Sequence, residues 1–241
     1  MSYSLYLFDF DYTLVNSEEG ILKCFRLTLD QYHLPQVPDD VICKTIGLPM
    51  EEAVHIITGY EDAARIDAFI EDYRALADRY MTPGTHFFPE TLPVLRALRD
   101  RGASIGIISS KTRSRIEEKF AETGTRDLID RIIGIEDVKT PKPSPEGIEA
   151  ALRAFALPKA QTLYIGDSVV DAGAAQNAGV AFAAVCTGTT PAAAFAPYPH
   201  AAILDDLRGL RTLAVGVPCR PCARSPRRTA STDAKRRTET A

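Results

Sequence analysis

The segment that constrains the fold most strongly is an apolar run that ends directly in two carboxylates. The residues from Leu5 to Phe8 are all aliphatic or aromatic, which predicts a buried β-strand. Asp9 and Asp11 follow, and the period-two alternation of extended backbone places both side chains on one side of it. Two such acids repel each other unless a cation or a positively charged group lies between them. The segment therefore predicts a metal or phosphate-handling site at the end of a core strand.

Three later segments carry polar side chains toward the same place. The apolar runs 103–108 and 162–165 predict further buried strands, and between them lies a loop whose prolines exclude a helix. The polar residues that follow these strands or lie in this loop are Ser109, Ser110, Lys142, Asp167 and Asp171. Open α/β sheets bind ligands at the carboxyl ends of their parallel strands. We therefore expect these side chains to meet Asp9 and Asp11.

The order of these motifs resembles the haloacid dehalogenase superfamily of aspartate-nucleophile phosphohydrolases, over residues 3–213. The motifs that carry the resemblance are Asp9-Phe-Asp11-Tyr-Thr13, Ser109, Lys142 before a proline, and Gly166-Asp167 with Asp171. The nearest pattern is the phosphoglycolate phosphatase-like branch, whose cap segment the stretch from Thr45 to Ala53 resembles. One departure is Tyr12, where most relatives have glycine. Tyr12 implies either a negative φ or backbone strain, and we expect it to narrow the mouth of the site.

The resemblance implies a role for each motif residue. Asp9 would be the nucleophile and form an aspartyl-phosphate, which divides one difficult step into two. Asp11 would protonate the leaving oxygen and then accept a proton from the hydrolytic water. Ser109, Ser110 and Lys142 would bind the phosphoryl oxygens, which is the electrostatic role that usually contributes most to catalysis.

The resemblance also implies a Mg²⁺ cofactor. Its ligands would be the Asp9 side chain, the Asp11 backbone carbonyl and the Asp167 side chain, and Asp171 would lie behind them and pair with Lys142. Magnesium suits an all-oxygen site that has few protein ligands and several waters. In the helical segment, Thr45, Gly47 and Leu48 would reach the non-phosphoryl end of the substrate and set specificity.

The predicted fold class is α/β, a Rossmann-like parallel sheet core with an α-helical cap domain inserted after the first strand. Residues 16–81 contain no convincing strand, and apolar residues repeat every three to four positions at Ile21, Phe25, Leu29 and Tyr32, as in an amphipathic helix. We assign residues 1–15 and 82–213 to the core domain and residues 16–81 to the cap. Residues 214–241 contain seven Lys/Arg against two Asp/Glu and few large apolar residues, which predicts a disordered basic tail. Its Cys219 and Cys222 have the spacing of half a zinc site but no second pair, so we interpret them as incidental.

The net charge of −4 and the absence of a long apolar run argue against a nucleic-acid surface or a membrane span. The first predicted strand begins close to Met1, so no signal peptide is expected, and we predict a cytoplasmic monomer or homodimer.

Three functions compete on these residues. The first is a magnesium-dependent phosphatase of a small phosphorylated metabolite, such as phosphoglycolate or a sugar phosphate, and the Thr45–Pro49 segment favours it. The second is a phosphotransferase that resembles β-phosphoglucomutase and returns the phosphoryl group to a sugar hydroxyl. The third is a non-catalytic phosphate-binding protein, which would have lost the nucleophile, whereas Asp9 is present. A dehalogenase has no need of the second aspartate, so Asp11 disfavours it.

Overall fold

The computed structural model describes residues 3–213, which form a parallel α/β sheet and a separate group of helices. The strands of this part of the chain are β1 (Leu5–Phe8), β2 (Val15–Asn16), β3 (His86–Phe87), β4 (Ser104–Ile108), β5 (Arg131–Ile133), β6 (Thr162–Gly166), β7 (Ala181–Val185) and β8 (Ala202–Leu204). The helices are α1 (Glu18–Gln31), α2 (Asp39–Cys43), α3 (Met50–Thr58), α4 (Ala63–Tyr80), α5 (Thr91–Asp100), α6 (Arg113–Glu122), α7 (Glu146–Phe155), α8 (Val169–Ala178) and α9 (Leu210–Leu213). None of the helices in residues 3–213 combines the length and the apolar character that crossing a membrane requires.

The main sheet has six parallel strands in the order β5-β4-β1-β6-β7-β8. The predicted α/β fold with a Rossmann-like parallel sheet is therefore confirmed. In register, Phe8 at the end of β1 lies beside Ile107 of β4 and Ile165 of β6. The residues that follow these three strands consequently reach the same edge of the sheet. This register is what assembles the candidate site.

The central strand β1 is buried on both faces, as expected for a parallel sheet covered by helices. Tyr6 and Phe8 pack into one apolar cluster, to which α5 and α6 contribute. Leu5 and Leu7 pack into a second cluster, on the side of α7 and α8. Because neighbouring residues of a strand point to opposite faces, a run of four apolar residues is required to fill both clusters.

Helices α1 to α4 surround their own apolar cluster, which includes Ile21, Phe25, Leu29 and Tyr73. The helical periodicity of this stretch is thus explained by packing within the segment. A short antiparallel pair ties its two ends together, with Val15 opposite Phe87 and Asn16 opposite His86. The prediction that residues 16–81 contain no strand is wrong at Asn16, because a ladder two residues long leaves no alternating pattern in the sequence.

The predicted strand at 103–108 begins one residue later in the structure, and the one at 162–165 ends one residue later. The edge strand β5 was not predicted, because three residues are too few to show a period. The predicted basic tail, with Cys219 and Cys222, lies outside the described residues.

Candidate active site

Three buried carboxylates meet at the carboxyl edge of the sheet. Asp9 follows β1, and Asp167 and Asp171 follow the neighbouring strand β6. One oxygen of each lies within 4.8 Å of the others. The Thr13 hydroxyl orients this group by donating to Asp167 Oδ1 at 3.1 Å. The predicted convergence of these acids is therefore present in the fold.

Lys142 supplies the positive charge among these acids. Its Nζ donates to Asp9 Oδ1 at 2.8 Å and to Asp171 Oδ1 at 2.7 Å, and all three side chains are buried. The Tyr164 hydroxyl also donates to Asp171 Oδ1 at 2.8 Å, while the amide and hydroxyl of Ser168 donate to Asp171 Oδ2. Asp171 is thus saturated with hydrogen bonds at the start of α8. It anchors Lys142, which leaves the carboxylates of Asp9 and Asp167 as the better ligands for a cation.

The site has a surplus of buried negative charge. Burial raises the pKa of Asp9 to about 7, although Lys142 opposes this and Asp171 adds to it. Burial, together with the charges of Asp171 and Asp9, also raises the pKa of Asp167 well above its usual range. Although burial lowers the pKa of Lys142, Asp171 and Asp9 raise it well above 10.5, so the lysine stays charged.

The donor set fits a hard divalent cation. Carboxylate oxygens and a backbone carbonyl are the ligands that Mg²⁺ prefers, and the surplus charge favours a cation over a neutral ligand. Gly188 keeps the space beside Asp167 open, because a Cβ at this position would lie 1.9 Å from Asp167 Oδ2. The residues that could hold the ion are Asp9 and Asp167 through their side chains and Asp11 through its backbone.

Asp11 lies beside a cation that the sequence analysis did not identify. Its Oδ1 is 3.0 Å from Lys111 Nζ, and both side chains are largely buried. The ammonium approaches at an angle that is poor for hydrogen bonding, so Asp11 Oδ1 has no hydrogen-bond partner within residues 3–213. Lys111 follows Ser109 and Ser110 at the end of β4, and that position was the available signal in the sequence.

The two serines after β4 point to different partners. Ser109 is buried, and its Oγ accepts a hydrogen bond from the Lys111 amide at 3.2 Å, so its own proton remains available to an oxyanion. Ser110 Oγ donates to the Gly47 carbonyl at 2.9 Å, which joins the end of β4 to the helical segment. The structure therefore places Ser109 at the end of β4, where it lines a small cavity together with Lys142, and Ser110 at the junction with the helical segment.

A cavity of about 320 Å³ lies between the helical segment and the strand ends. We call it the Asp11 cavity, because Asp11 and Lys111 line it together with Ser110. The predicted specificity residues Thr45, Gly47 and Leu48 also line it. The hydroxyl of Thr45 is already engaged, because it donates to the Ile42 carbonyl at 2.7 Å.

Tyr12 adopts a left-handed backbone with φ of 58°, so the expected strain is present and the alternative of a negative φ is wrong. Its side chain is buried and lines a second cleft with Glu18, Cys43 and Gly188. Tyr12 does not line the Asp11 cavity, but it lies close to Gly188, because a Cβ at Gly188 would lie 3.1 Å from the Tyr12 Cβ and 1.9 Å from Asp167 Oδ2. That Tyr12 narrows the mouth of the site stays a prediction.

A family model of haloacid dehalogenase-like hydrolases matches residues 6–185 of this chain. The chain belongs to this family. The match confirms the prediction of a hydrolase of this superfamily, and it spans every predicted motif residue.

Related proteins and solved structures agree with this assignment. The pyrophosphatase PpaX of Anoxybacillus flavithermus is 29% identical over 185 residues, which cover 77% of this chain and 84% of that protein. A crystal structure from Bacteroides fragilis, provisionally described as a haloacid dehalogenase-like hydrolase, matches this chain with a TM-score of 0.84 and 44% identity. The match covers 87% of this chain and 100% of the other. A provisionally assigned phosphoglycolate phosphatase from Lactobacillus plantarum has a TM-score of 0.78 and 25% identity, covering 88% of this chain and 100% of the other.

Proposed function

We propose that this protein is a magnesium-dependent phosphatase that hydrolyses a small phosphorylated metabolite, such as a phosphoglycolate-like compound or a sugar phosphate. The observation that carries the proposal is the buried group of Asp9, Asp167 and Lys142. An anionic phosphoryl group resists attack by another anion, so catalysis depends on neutralising charge and aligning the nucleophile. A buried lysine and a carboxylate pair suited to a divalent cation supply both functions.

In the proposed reaction, Asp9 attacks phosphorus, and the bond between phosphorus and the leaving oxygen breaks. Asp11 gives its proton to that oxygen, and an aspartyl-phosphate forms on Asp9. Asp11 then takes a proton from water, whose oxygen attacks phosphorus. The bond between phosphorus and Asp9 breaks, which releases phosphate and restores the Asp9 carboxylate. Ser109 and Lys142 hold the phosphoryl oxygens, and Mg²⁺ held by Asp9, Asp167 and the Asp11 backbone would supply further positive charge to the site.

We propose that residues 16–81 act as a cap on a core formed by residues 1–15 and 82–213. The separate apolar cluster of the helical segment and the β2–β3 pair at its base support this division. A cap above the strand ends would exclude water and admit only compact substrates. The size of the Asp11 cavity supports a small-molecule substrate, since ligand pockets of about 300–1,000 Å³ are typical for such compounds.

Hydrolysis of pyrophosphate is the second candidate, because several similar curated proteins are named pyrophosphatase PpaX. Lys111 beside Asp11 is a cation that could neutralise a phosphate leaving group.

The free cysteines Cys24, Cys43 and Cys186 support a reducing compartment and hence our assignment to the cytoplasm.

The test is phosphate release from a panel that contains 2-phosphoglycolate, sugar phosphates, pyrophosphate and phenyl phosphate. Asp9→Asn should lower turnover by at least about a thousandfold, because the amide cannot act as the nucleophile. Asp205→Asn is the matched control, since Asp205 is exposed and lies on a different surface loop. Activity should also vanish in excess chelator and return with Mg²⁺. Near-normal activity of Asp9→Asn, or full activity in chelator with metal content checked, would contradict the proposal.

A further inference from the structure

One tyrosine that lines the Asp11 cavity has a hydroxyl with no partner in the described part of the chain. Tyr73 lies on α4, where its spacing from Phe69 and Ala77 is that of the buried face of the helix. The side chain is 6% exposed, and its ring packs against Phe25 with 4.6 Å between the ring centroids. The side chain also lines the cavity, as do Asp11 and Lys111.

The Tyr73 hydroxyl makes no hydrogen bond to any residue between 3 and 213. Other tyrosine hydroxyls in this part of the chain are engaged: that of Tyr164 donates to Asp171, and that of Tyr32 donates to Asp72 at 2.7 Å. Among the described residues, the buried side-chain atoms without a partner are Asp11 Oδ1 and Ser17 Oγ, so the Tyr73 hydroxyl is not shut off from the cavity that its side chain lines. A phenylalanine would pack against Phe25 equally well. A hydroxyl that has no partner in the protein and is open to a cavity is available to donate to a ligand.

The charges around the cavity indicate what kind of ligand this is. Three acidic and three basic side chains line it, which are Asp11, Glu51, Asp78, Arg74, Lys111 and Arg115. Lys111 is paired with Asp11, and Arg115 is paired with Asp78 and Glu118. Arg74 and Glu51 take part in no ion pair within residues 3–213, so the three positive and three negative charges of the wall cancel formally. The wall therefore offers no net positive charge to a second anionic group, while Phe25 and Tyr73 offer an apolar surface to carbon.

We propose that Tyr73 is a specificity-determining residue whose hydroxyl donates a hydrogen bond to an oxygen of an uncharged, carbon-based leaving group. The inference rests on the proposed phosphatase function and narrows it to phosphate monoesters of uncharged hydroxylated compounds, such as sugar phosphates, in preference to pyrophosphate and to phosphoglycolate, whose leaving group carries a carboxylate. Burial, followed by the nearby Cys24 and Asp11, raises the pKa of Tyr73 well above 10. The hydroxyl therefore remains a donor throughout the pH range of an assay.

The test is Tyr73→Phe, which removes only the hydroxyl. We compare kcat/KM for the best sugar phosphate of the panel with kcat/KM for phenyl phosphate, whose leaving group has no second oxygen. The sugar phosphate should lose about fivefold, the usual value of one neutral hydrogen bond, while phenyl phosphate stays within about twofold. The melting temperature of Tyr73→Phe should equal or exceed that of the wild type, because no hydrogen bond within the protein is lost.

Tyr32→Phe is the matched control, since it makes the same chemical change on the same helical segment. It breaks the hydrogen bond to Asp72, so it should lower the melting temperature and leave the ratio of the two kcat/KM values unchanged. Tyr73→Met is a second variant that also lacks the donor and should shift the ratio in the same direction.

An unchanged ratio in both Tyr73 variants would overturn the inference, as would wild-type preference for pyrophosphate over every organic phosphate. These results differ from failure of the proposed function itself, which would appear as a wild-type enzyme that hydrolyses neither phenyl phosphate nor any other panel member with Mg²⁺.

Discussion

The stability of the metal-free protein should depend strongly on Lys142, and Lys142→Met tests this. The methionine keeps the length of the side chain and removes the charge that contacts Asp9 and Asp171. Breaking a buried ion pair by removing one partner costs about 3–5 kcal/mol. A chain of this size loses about 2–4 °C in melting temperature per kcal/mol, so we expect a decrease of roughly 10 °C in chelator at pH 8.

The loss should be smaller at pH 5. Burial holds the pKa of Asp9 at about 7 against Lys142, and without the lysine this pKa rises further. A carboxyl whose pKa is raised by folding binds its proton more tightly in the folded state. Its contribution to stability is present below the unfolded pKa of about 4 and is lost as pH rises through the folded pKa. At pH 5 the protonated Asp9 needs no cation, so part of the cost of Lys142→Met disappears.

The assay is thermal unfolding of wild type and variant in chelator at pH 5 and pH 8. Lys119→Met is the matched control, because Lys119 is also buried but pairs with the half-exposed Glu122 outside the site. Its deficit should be the same at both pH values. A Lys142→Met protein as stable as wild type at pH 8, or a deficit that does not change with pH, would refute the reasoning.

Three further predictions concern the metal and the backbone. Mg²⁺ should raise the melting temperature of the metal-free protein more at pH 8 than at pH 5, because at pH 5 the ion must displace the protons that burial retains on Asp9 and Asp167. Thermal unfolding at increasing Mg²⁺ concentrations measures the two increments, and equal increments at both pH values would contradict the prediction. Tyr12→Gly should relieve the strain of a left-handed backbone, about 1 kcal/mol, but remove a buried aromatic ring whose burial stabilises the fold by about 3 kcal/mol. The free energy of unfolding measured in urea should therefore fall by about 2 kcal/mol, and a rise would contradict this. Gly84→Ala should destabilise the protein by about 1–3 kcal/mol, since its Cβ would lie 2.6 Å from the backbone of Gly20, and an unchanged melting temperature would show that the two segments separate freely.

The sequence by itself determined the strand β1 and the two carboxylates beyond it. An apolar run of four residues can be buried on both faces only inside a covered sheet, and period-two alternation then sets the direction of Asp9 and Asp11. The other long strands and the site residues that follow them were also readable, because a strand of five residues shows its composition locally. The predicted bounds of β4 and β6 each differ from the observed ones by one residue.

Tertiary structure decided which side chains meet. Lys142 and Asp9 are 133 residues apart in the chain, and their contact follows from the order β4-β1-β6, which local patterns do not encode. The same holds for the ion pair of Lys111 with Asp11. Tyr73 shows the limit most clearly, because its spacing on α4 is that of any core residue. Whether its hydroxyl has a partner depends on the space between two packed elements, and only the folded chain defines that space.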